Sequence, residues 1–401
     1  MKYYMTNLKS FFGIIAVVGS SLTSFAGDCS SLSGEYKIAK ENGDFATITE
    51  AVSNLKCGGV SGSVRFLIES GKYTDKIDLT NISGVSAQNT ITFESLSGAE
   101  SDVILASSSQ DQSFTVGITN TSYVNFSNLT LQNNSGLTGN VVRIDGNVSA
   151  VKFKNVIFDG SEKQVTGANN AVIYSTSNGT KRGLSLEDCT VNNGSVGVYK
   201  GGLEVADEAT SISGTTFFNQ YEGGLVINGE KSPVLSYNVL SSVSNYKGFK
   251  AITLNSVNEN LIVSNNIVNT INGGYGLAMN NCEGLISGYG NITNNSFYLG
   301  GQGTLYGLYL SGKTDNQVLN FNRVKLTPTT VNSANQAFYM NIGSGQNINL
   351  TNNIFFDLGT GGYTILGNTY KDYFNQLPPQ SNQALSVSAN GIMIEKVMPA
   401  N

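Results

Sequence analysis

One pattern of apolar and polar positions recurs through the middle of the chain: an apolar residue, a polar turn residue two positions on, and a second apolar residue three further. It runs Phe126-x-Asn128-x-x-Leu131, Phe153-x-Asn155-x-x-Phe158, Leu186-x-Asp188-x-x-Val191, Ile212-x-Gly214-x-x-Phe217 and Leu235-x-Tyr237-x-x-Leu240. Val263-x-Asn265-x-x-Val268, Ile292-x-Asn294-x-x-Phe297, Leu319-x-Phe321-x-x-Val324 and Leu350-x-Asn352-x-x-Phe355 continue it. Successive central positions lie 27, 33, 26, 23, 28, 29, 27 and 31 residues apart. A near-constant period of this length marks a solenoid, in which each coil buries its apolar side chains against its neighbours.

A second column precedes most of these motifs. Val142-x-Ile144-Asp145, Val172-x-Tyr174-Ser175, Val196-x-Val198-Tyr199, Leu225-x-Ile227-Asn228 and Ile252-x-Leu254-Asn255 belong to it. So do Leu277-x-Met279-Asn280, Leu308-x-Leu310-Ser311 and Phe338-x-Met340-Asn341. Apolar residues two apart face one side of a strand. With a third strand implied after each Asn, the pattern predicts an all-β, right-handed parallel β-helix of three-sided coils, about 9–12 in number. Asn128, Asn155, Asp188, Asn265, Asn294 and Asn352 are expected to form a turn ladder, because Asn tolerates left-handed backbone and its amide bonds the next coil's. Tyr237 and Phe321 interrupt that ladder, and a local change of turn is expected at each.

Both ends depart from the period. Residues 27–62 read as an N-terminal cap: Thr47-Ile48-Thr49-Glu50 fits a capping box, and Ile48, Ala51, Val52 and Leu55 share one helical face. The strand Val64–Ile68 and a turn at Gly71-Lys72-Tyr73 are expected to begin the winding, followed by strands at Ile77–Leu79, Thr90–Glu94 and Val103–Leu105. The β-helix is predicted over 63–362. Residues 363–401 read as an irregular C-terminal cap or the start of a further attachment or sorting region, broken by Pro378-Pro379, with final strands in Ala384–Ile394. Residues 1–26 read as a secretory signal: Lys2 and Lys9 precede the apolar run Phe11–Val18, and Ser24-Phe25-Ala26 supplies a cleavage site. That run is too short to span a bilayer, and Asp28 before Cys29 does not fit a lipoprotein signal.

Composition agrees with export. Only 13% of the 401 residues are charged, with 46 Gly, five Pro and a net charge of −5. Removing 1–26 takes away two lysines and no acids, which leaves −7. Such a chain, with four arginines, offers neither a nucleic acid nor an anionic membrane the basic footprint it needs. Four cysteines occur; Cys29 is expected to pair with Cys57 across the helix, leaving Cys189 and Cys282 as reduced core residues. No spacing suggests a metal or cofactor.

The helix Phe45-Ala46-Thr47-Ile48-Thr49-Glu50-Ala51-Val52, followed by Gly71-x-Tyr73-x-Asp75-x-Ile77, resembles the start of pectinesterase-like proteins. The coils resemble the pectin-lyase-like right-handed parallel β-helix superfamily and the β-helix repeats of Gram-negative secreted and cell-surface proteins. The resemblance implies the fold, not an activity. A pectinesterase-like site would call for paired Asp residues, an Arg and Gln positions; only Gln110-Asp111-Gln112 suggests a fragment of it. A polygalacturonase-like site needs a His, and the chain has none.

A calcium-dependent lyase would need outward carboxylates on adjacent coils beside an Arg or Lys base. The outward residues of the second column read as Arg143, Ile173, Gly197, Val226, Thr253, Ala278, Tyr309 and Tyr339. Asp145, Asp159, Glu187, Asp188, Asp207 and Glu208 are read as structural, three of them at turns. Without His, a Ser or Cys nucleophile lacks its usual base. Tyr309 and Tyr339 on successive coils form a candidate sugar-stacking platform, which Tyr275 and Tyr306 would enlarge. The same stack would also stabilise a sheet. The sequence thus predicts a secreted or surface-exposed, non-catalytic β-helix protein of a Gram-negative bacterium, adhesive, structural or glycan-interacting. The alternative is a polysaccharide lyase or pectinesterase-like enzyme with a divergent site, revealed by carboxylates beside Arg143 or Lys152.

Overall fold

Each coil contributes one strand to each of three parallel sheets. In the computed structural model the described residues are 29–107, 114–133, 139–202, 207–330, 334–342, 347–357, 362–366 and 393–396. The signal segment 1–26 and Gln110-Asp111-Gln112 lie outside them. The chain forms a nearly all-β parallel solenoid of about 11 turns, with one α-helix among the described residues. The first sheet runs from Leu32–Ile38 through Val60–Ile68 and Ile91–Ser95 to Ile348–Thr351, and the second from Gly71–Tyr73 through Val103–Ser107 to Met393–Lys396. The third runs from Ile77–Thr80 through Phe114–Thr119 to Gly362–Leu366.

In-register pairing turns the apolar columns into ladders. Phe66, Phe93, Phe126 and Phe153 stack along the first sheet with centroids 4.9, 5.5 and 5.2 Å apart. Leu186, Ile212, Leu235, Val263, Ile292, Leu319 and Leu350 extend that ladder, all buried. Each such side chain contributes about 1.5–3 kcal/mol by leaving water.

All nine turn positions hold left-handed backbone, with φ from 50° at Asn155 to 61° at Gly214. Tyr237 (φ 58°) and Phe321 (φ 55°) keep the same turn, which corrects the expected change there. Left-handed backbone costs a bulky residue about 1–2 kcal/mol. Their side chains point outward, 67% and 60% exposed, so no clash adds to that cost. Gly214 suits the same turn because glycine takes φ 61° without the cost a Cβ adds.

The asparagine ladder also needs correction. Of the predicted members only Asn155 to Asn128 (3.1 Å) and Asn294 to Asn265 (2.6 Å) bond directly, while Asn352 donates instead to Asn320 Oδ1 at 3.0 Å. The continuous ladder lies one residue further on, inside the coil: Asn238, Asn266, Asn295, Asn322 and Asn353, all 0% exposed. The Oδ1 of each later member accepts both the backbone N–H and the Nδ2–H of the one before it, at 2.9–3.1 Å. Each Nδ2 also donates to a main-chain carbonyl of the preceding coil. Outward amides can turn to water, but inward ones must be satisfied within the protein.

Winding begins ahead of the helix, because Leu32–Ile38 already pairs with Val60–Ile68. The helix Ile48–Gly58 is inserted between these strands. Thr47 Oγ1 caps it by accepting from Glu50 N, and Ile48, Ala51, Val52 and Leu55 join the core. A Cys29–Cys57 disulfide links its C-terminal turn to the start of the described chain; closing that loop contributes about 3–4 kcal/mol on the chain-entropy account. Gly71–Tyr73 is a strand rather than a turn, paired with Val103–Leu105. Strand pairing also passes residue 362: Gly362–Leu366 adds to the third sheet and Met393–Lys396 to the second.

Candidate functional site

The outer face of the third sheet collects the candidate residues, and a recurrent bulge sets which ones they are. Val141 and Val142 both turn inward, and both their N–H groups donate to Val172 O, at 2.9 and 3.0 Å. Val172 with Ile173, Ala251 with Ile252 and Ala337 with Phe338 repeat the double inward placement. Later coils fill the extra position with Gly or Ala; a Cβ at Gly276 would sit 2.6 Å from Gly307 O and 2.7 Å from Phe297 Cδ1. A bulge of this kind reverses the alternation of the strand.

The register therefore corrects two outward positions. Arg143 pairs with Tyr174, Tyr174 with Tyr199, and Tyr199 with Val226, so Tyr174 and Tyr199 face outward where Ile173 and Gly197 were expected. Ile173 is buried in the core. The row continues through Thr253, Ala278, Tyr309 and Tyr339 as expected. The adjacent apolar pair Val172-Ile173 was the signal for the shift in the sequence.

Four tyrosines cluster at one end of this face. Tyr309 and Tyr339 stack 4.6 Å apart at 3°, and Tyr275 and Tyr306 stack 4.8 Å apart at 21°. The two stacks meet edge to face: Tyr309 lies 5.3 Å from Tyr275 and 5.2 Å from Tyr306, and Tyr306 lies 5.5 Å from Tyr339. All four are half-buried, and their hydroxyls have no protein hydrogen bond among the described residues. Burial, then the neighbouring phenols, pushes the Tyr275 and Tyr306 hydroxyls above the usual tyrosine range. Lys250 Nζ lies 5.2 Å from the Tyr275 ring centre, and Gln336 Oε1, paired in register with Tyr306, is buried without a partner.

The acids sit elsewhere. Asp145 accepts from Thr176 Oγ1 (2.7 Å), Asn178 Nδ2 (3.1 Å) and Gly146 N (2.9 Å). Burial opposes its ionisation, but these bonds outweigh it and hold its carboxyl below the usual range. Asp159 accepts from Asn193 Nδ2, and burial raises it. Glu187 and Glu208 pair with Lys154 and Arg182 at the surface. Asp188 occupies a left-handed turn.

Asp207 belongs to a buried ionic cluster that the sequence reading did not identify. Lys200 occupies an inward ladder position between Ser175 and Ile227, with Nζ 2.8 Å from Asp207 Oδ2 and 3.4 Å from Glu230 Oε2. Asp207 Oδ1 accepts from Lys181 N, Glu230 Oε1 accepts from Thr210 N, and the Lys181 ammonium is held by the carbonyls of Asn178 and Gly179. Lys200 thus bridges two buried carboxylates, while main-chain carbonyls satisfy the Lys181 ammonium beside them. No group of three or more metal-ligating side chains occurs among the described residues. A cavity of ≈ 230 Å³ beside Tyr298 and Thr327 is lined by neither acid nor base.

The sequence matches no protein-family profile and no curated protein. Among solved structures, the chain is similar to the GH136 lacto-N-biosidase from Eubacterium ramulus, at 11% identity and TM-score 0.49, over 83% of this chain and 68% of that one. It is also similar to the Streptococcus pneumoniae surface protein and adhesin PfbA, at 12% identity and TM-score 0.33, over 79% of this chain and 94% of that one. No helix among the described residues is long and apolar enough to cross a membrane.

Proposed function

We propose that this is an exported or surface-exposed, non-catalytic β-helix protein that holds glycan on the outer face of its third sheet. The reading rests on one observation: Tyr275, Tyr306, Tyr309 and Tyr339 form a half-buried ring cluster whose four phenols bond no described protein group. Aromatic edges and faces pack against the C–H surface of a sugar, and phenols exchange hydrogen bonds with its hydroxyls. Cross-strand stacking for stability alone would not require four polar tips. The Cys29–Cys57 disulfide and the signal-like segment 1–26 support an oxidising destination.

The alternative, a polysaccharide lyase or pectinesterase-like enzyme with a divergent site, requires outward carboxylates beside Arg143 or Lys152. The partners of Arg143 across the sheet are Gly117 and Tyr174, those of Lys152 are Asn125 and Ser185, and Asp145 is engaged in its turn. The test is glycan retention by the mature protein, with release of reducing or unsaturated ends read in parallel. Retention without release, lost in a Tyr309→Ala/Tyr339→Ala variant, is the expected result.

A further inference from the structure

The row that carries Tyr309 and Tyr339 carries a second aromatic cluster. Tyr174 and Tyr199 meet edge to face at 5.7 Å, and the Arg143 guanidinium lies 5.5 Å from the Tyr174 ring centre. Between the two clusters the outward residues of three successive coils are Val226, Thr253 and Ala278, all short. Tyr199 and Tyr309 are four strand steps apart, roughly 19 Å along the solenoid axis at the usual strand spacing. Two raised aromatic stations therefore flank a low strip on one straight row.

We propose that the two clusters are subsites for one linear, uncharged polysaccharide lying along the solenoid axis and bridging the strip from Tyr174 and Tyr199 to Tyr309 and Tyr339. This rests on the glycan-holding reading above and extends it. Spacing supports a linear ligand, because a compact one reaches a single cluster. Chemistry supports an uncharged one. The strip's residues carry no acid or base; Val226 is partly exposed, while Thr253 and Ala278 are largely covered by their neighbours and Thr253 Oγ1 is buried. Arg143 and Lys250, the cations beside the row, each lie against a tyrosine ring. A chain of net charge −5 also repels a polyanion. Two linked weak subsites give an avidity that neither has alone.

The test is affinity electrophoresis of the mature protein in gels containing glucomannan, mixed-linkage β-glucan or dextran, with polygalacturonate and alginate as charged counterparts. The expected result is retardation by a neutral polymer that persists in high salt and is not competed by the corresponding disaccharide. Tyr174→Ala/Tyr199→Ala and Tyr309→Ala/Tyr339→Ala should each weaken it by roughly tenfold. Thr253→Gln, whose cross-strand partners are Val226 and Ala278 rather than a tyrosine of either cluster, raises the strip; it should weaken retardation as well and covers a failure of the alanine pair to fold. Retardation that depends on Tyr309 and Tyr339 but ignores Tyr174, Tyr199 and Thr253 overturns the two-subsite proposal and leaves the platform standing. Retardation by the polyanions alone, reversed by salt, overturns the ligand class. Retention of no polymer sinks the platform reading and this proposal with it.

Discussion

Tyr309 and Tyr339 are direct partners across neighbouring strands, and their rings lie 4.6 Å apart at 3°. That is the strand spacing itself, so the stack repeats the sheet in side chains. The phenols are then the feature that separates binding from mere support. Replacing both residues by Phe keeps the stack and removes the hydroxyls. Thermal stability should hold within about 0.5 kcal/mol while glycan retention falls, whereas the alanine pair should also lose about 1 kcal/mol of stability. Melting curves beside retention assays check this; full retention by the Phe pair would remove the phenols from the account.

The inner asparagine ladder should dominate the stability of the later coils. Asn295→Ala removes the acceptor of the Asn266 N–H and one of two acceptors of its amide, and takes one donor each from Asn322 Oδ1 and Val263 O; it is expected to cost about 3 kcal/mol. Asn294→Ala, one residue earlier on the outside, should cost about 1 kcal/mol, chiefly for its left-handed backbone. Denaturant melts of the two variants compare them directly, and equal costs would contradict the inward ladder.

Removing Lys200 leaves Asp207 and Glu230 buried together. Lys200→Met should therefore destabilise by about 3–5 kcal/mol. A triple replacement of Lys200, Asp207 and Glu230 by apolar residues of similar volume should recover much of the loss. No recovery would mean that the cluster is needed for more than charge balance.

The pH dependence of stability should carry two opposed contributions. Burial raises Glu230 above its ordinary value of 4.5, so its contribution is fully present below that pH and is lost as pH rises through the folded value. Asp145 is lowered from 3.8, with hydrogen bonds outweighing burial, so its contribution is present above that pH and is lost as pH falls through the folded value. Glu230→Gln should flatten the loss of Tm on the alkaline side of 4.5, and Asp145→Asn should flatten the loss below 3.8. Thermal melts across acid pH read both slopes.

Cys189 and Cys282 are buried and unpaired, and burial pushes their thiols up to about 11 and about 12. Thiolate is the reactive form. A thiol reagent near pH 8 should therefore label neither in the folded protein and both on unfolding, at the global unfolding rate. Rapid labelling of the folded protein would place one of them in a locally opening segment.

The coil period was legible because each strand's inward residues alternate and the turn residue sits at a fixed offset, as in Phe126-x-Asn128 and Val263-x-Asn265. Tyr309 and Tyr339 were legible for the same reason, since their strand keeps its alternation from Leu308 onward. Tyr174 and Tyr199 were missed because the bulge puts Val172 and Ile173 inward together, and period-two reading cannot see a backbone insertion. The inner ladder was missed because Asn294-Asn295 and Asn352-Asn353 are adjacent pairs, and sequence alone does not say which member turns inward. The buried cluster was missed because Lys200 lies 30 residues from Glu230 in the chain and meets it only through the coil register.

The central claim is that the tyrosine face holds glycan without cleaving it. The most direct measurement immobilises polysaccharide, adds the mature protein, and reads bound protein and released sugar ends from the same sample. The account predicts bound protein, no released ends, and loss of binding in Tyr309→Ala/Tyr339→Ala with the fold intact. Released ends, undiminished in that variant, would contradict it and move the search to the carboxylates.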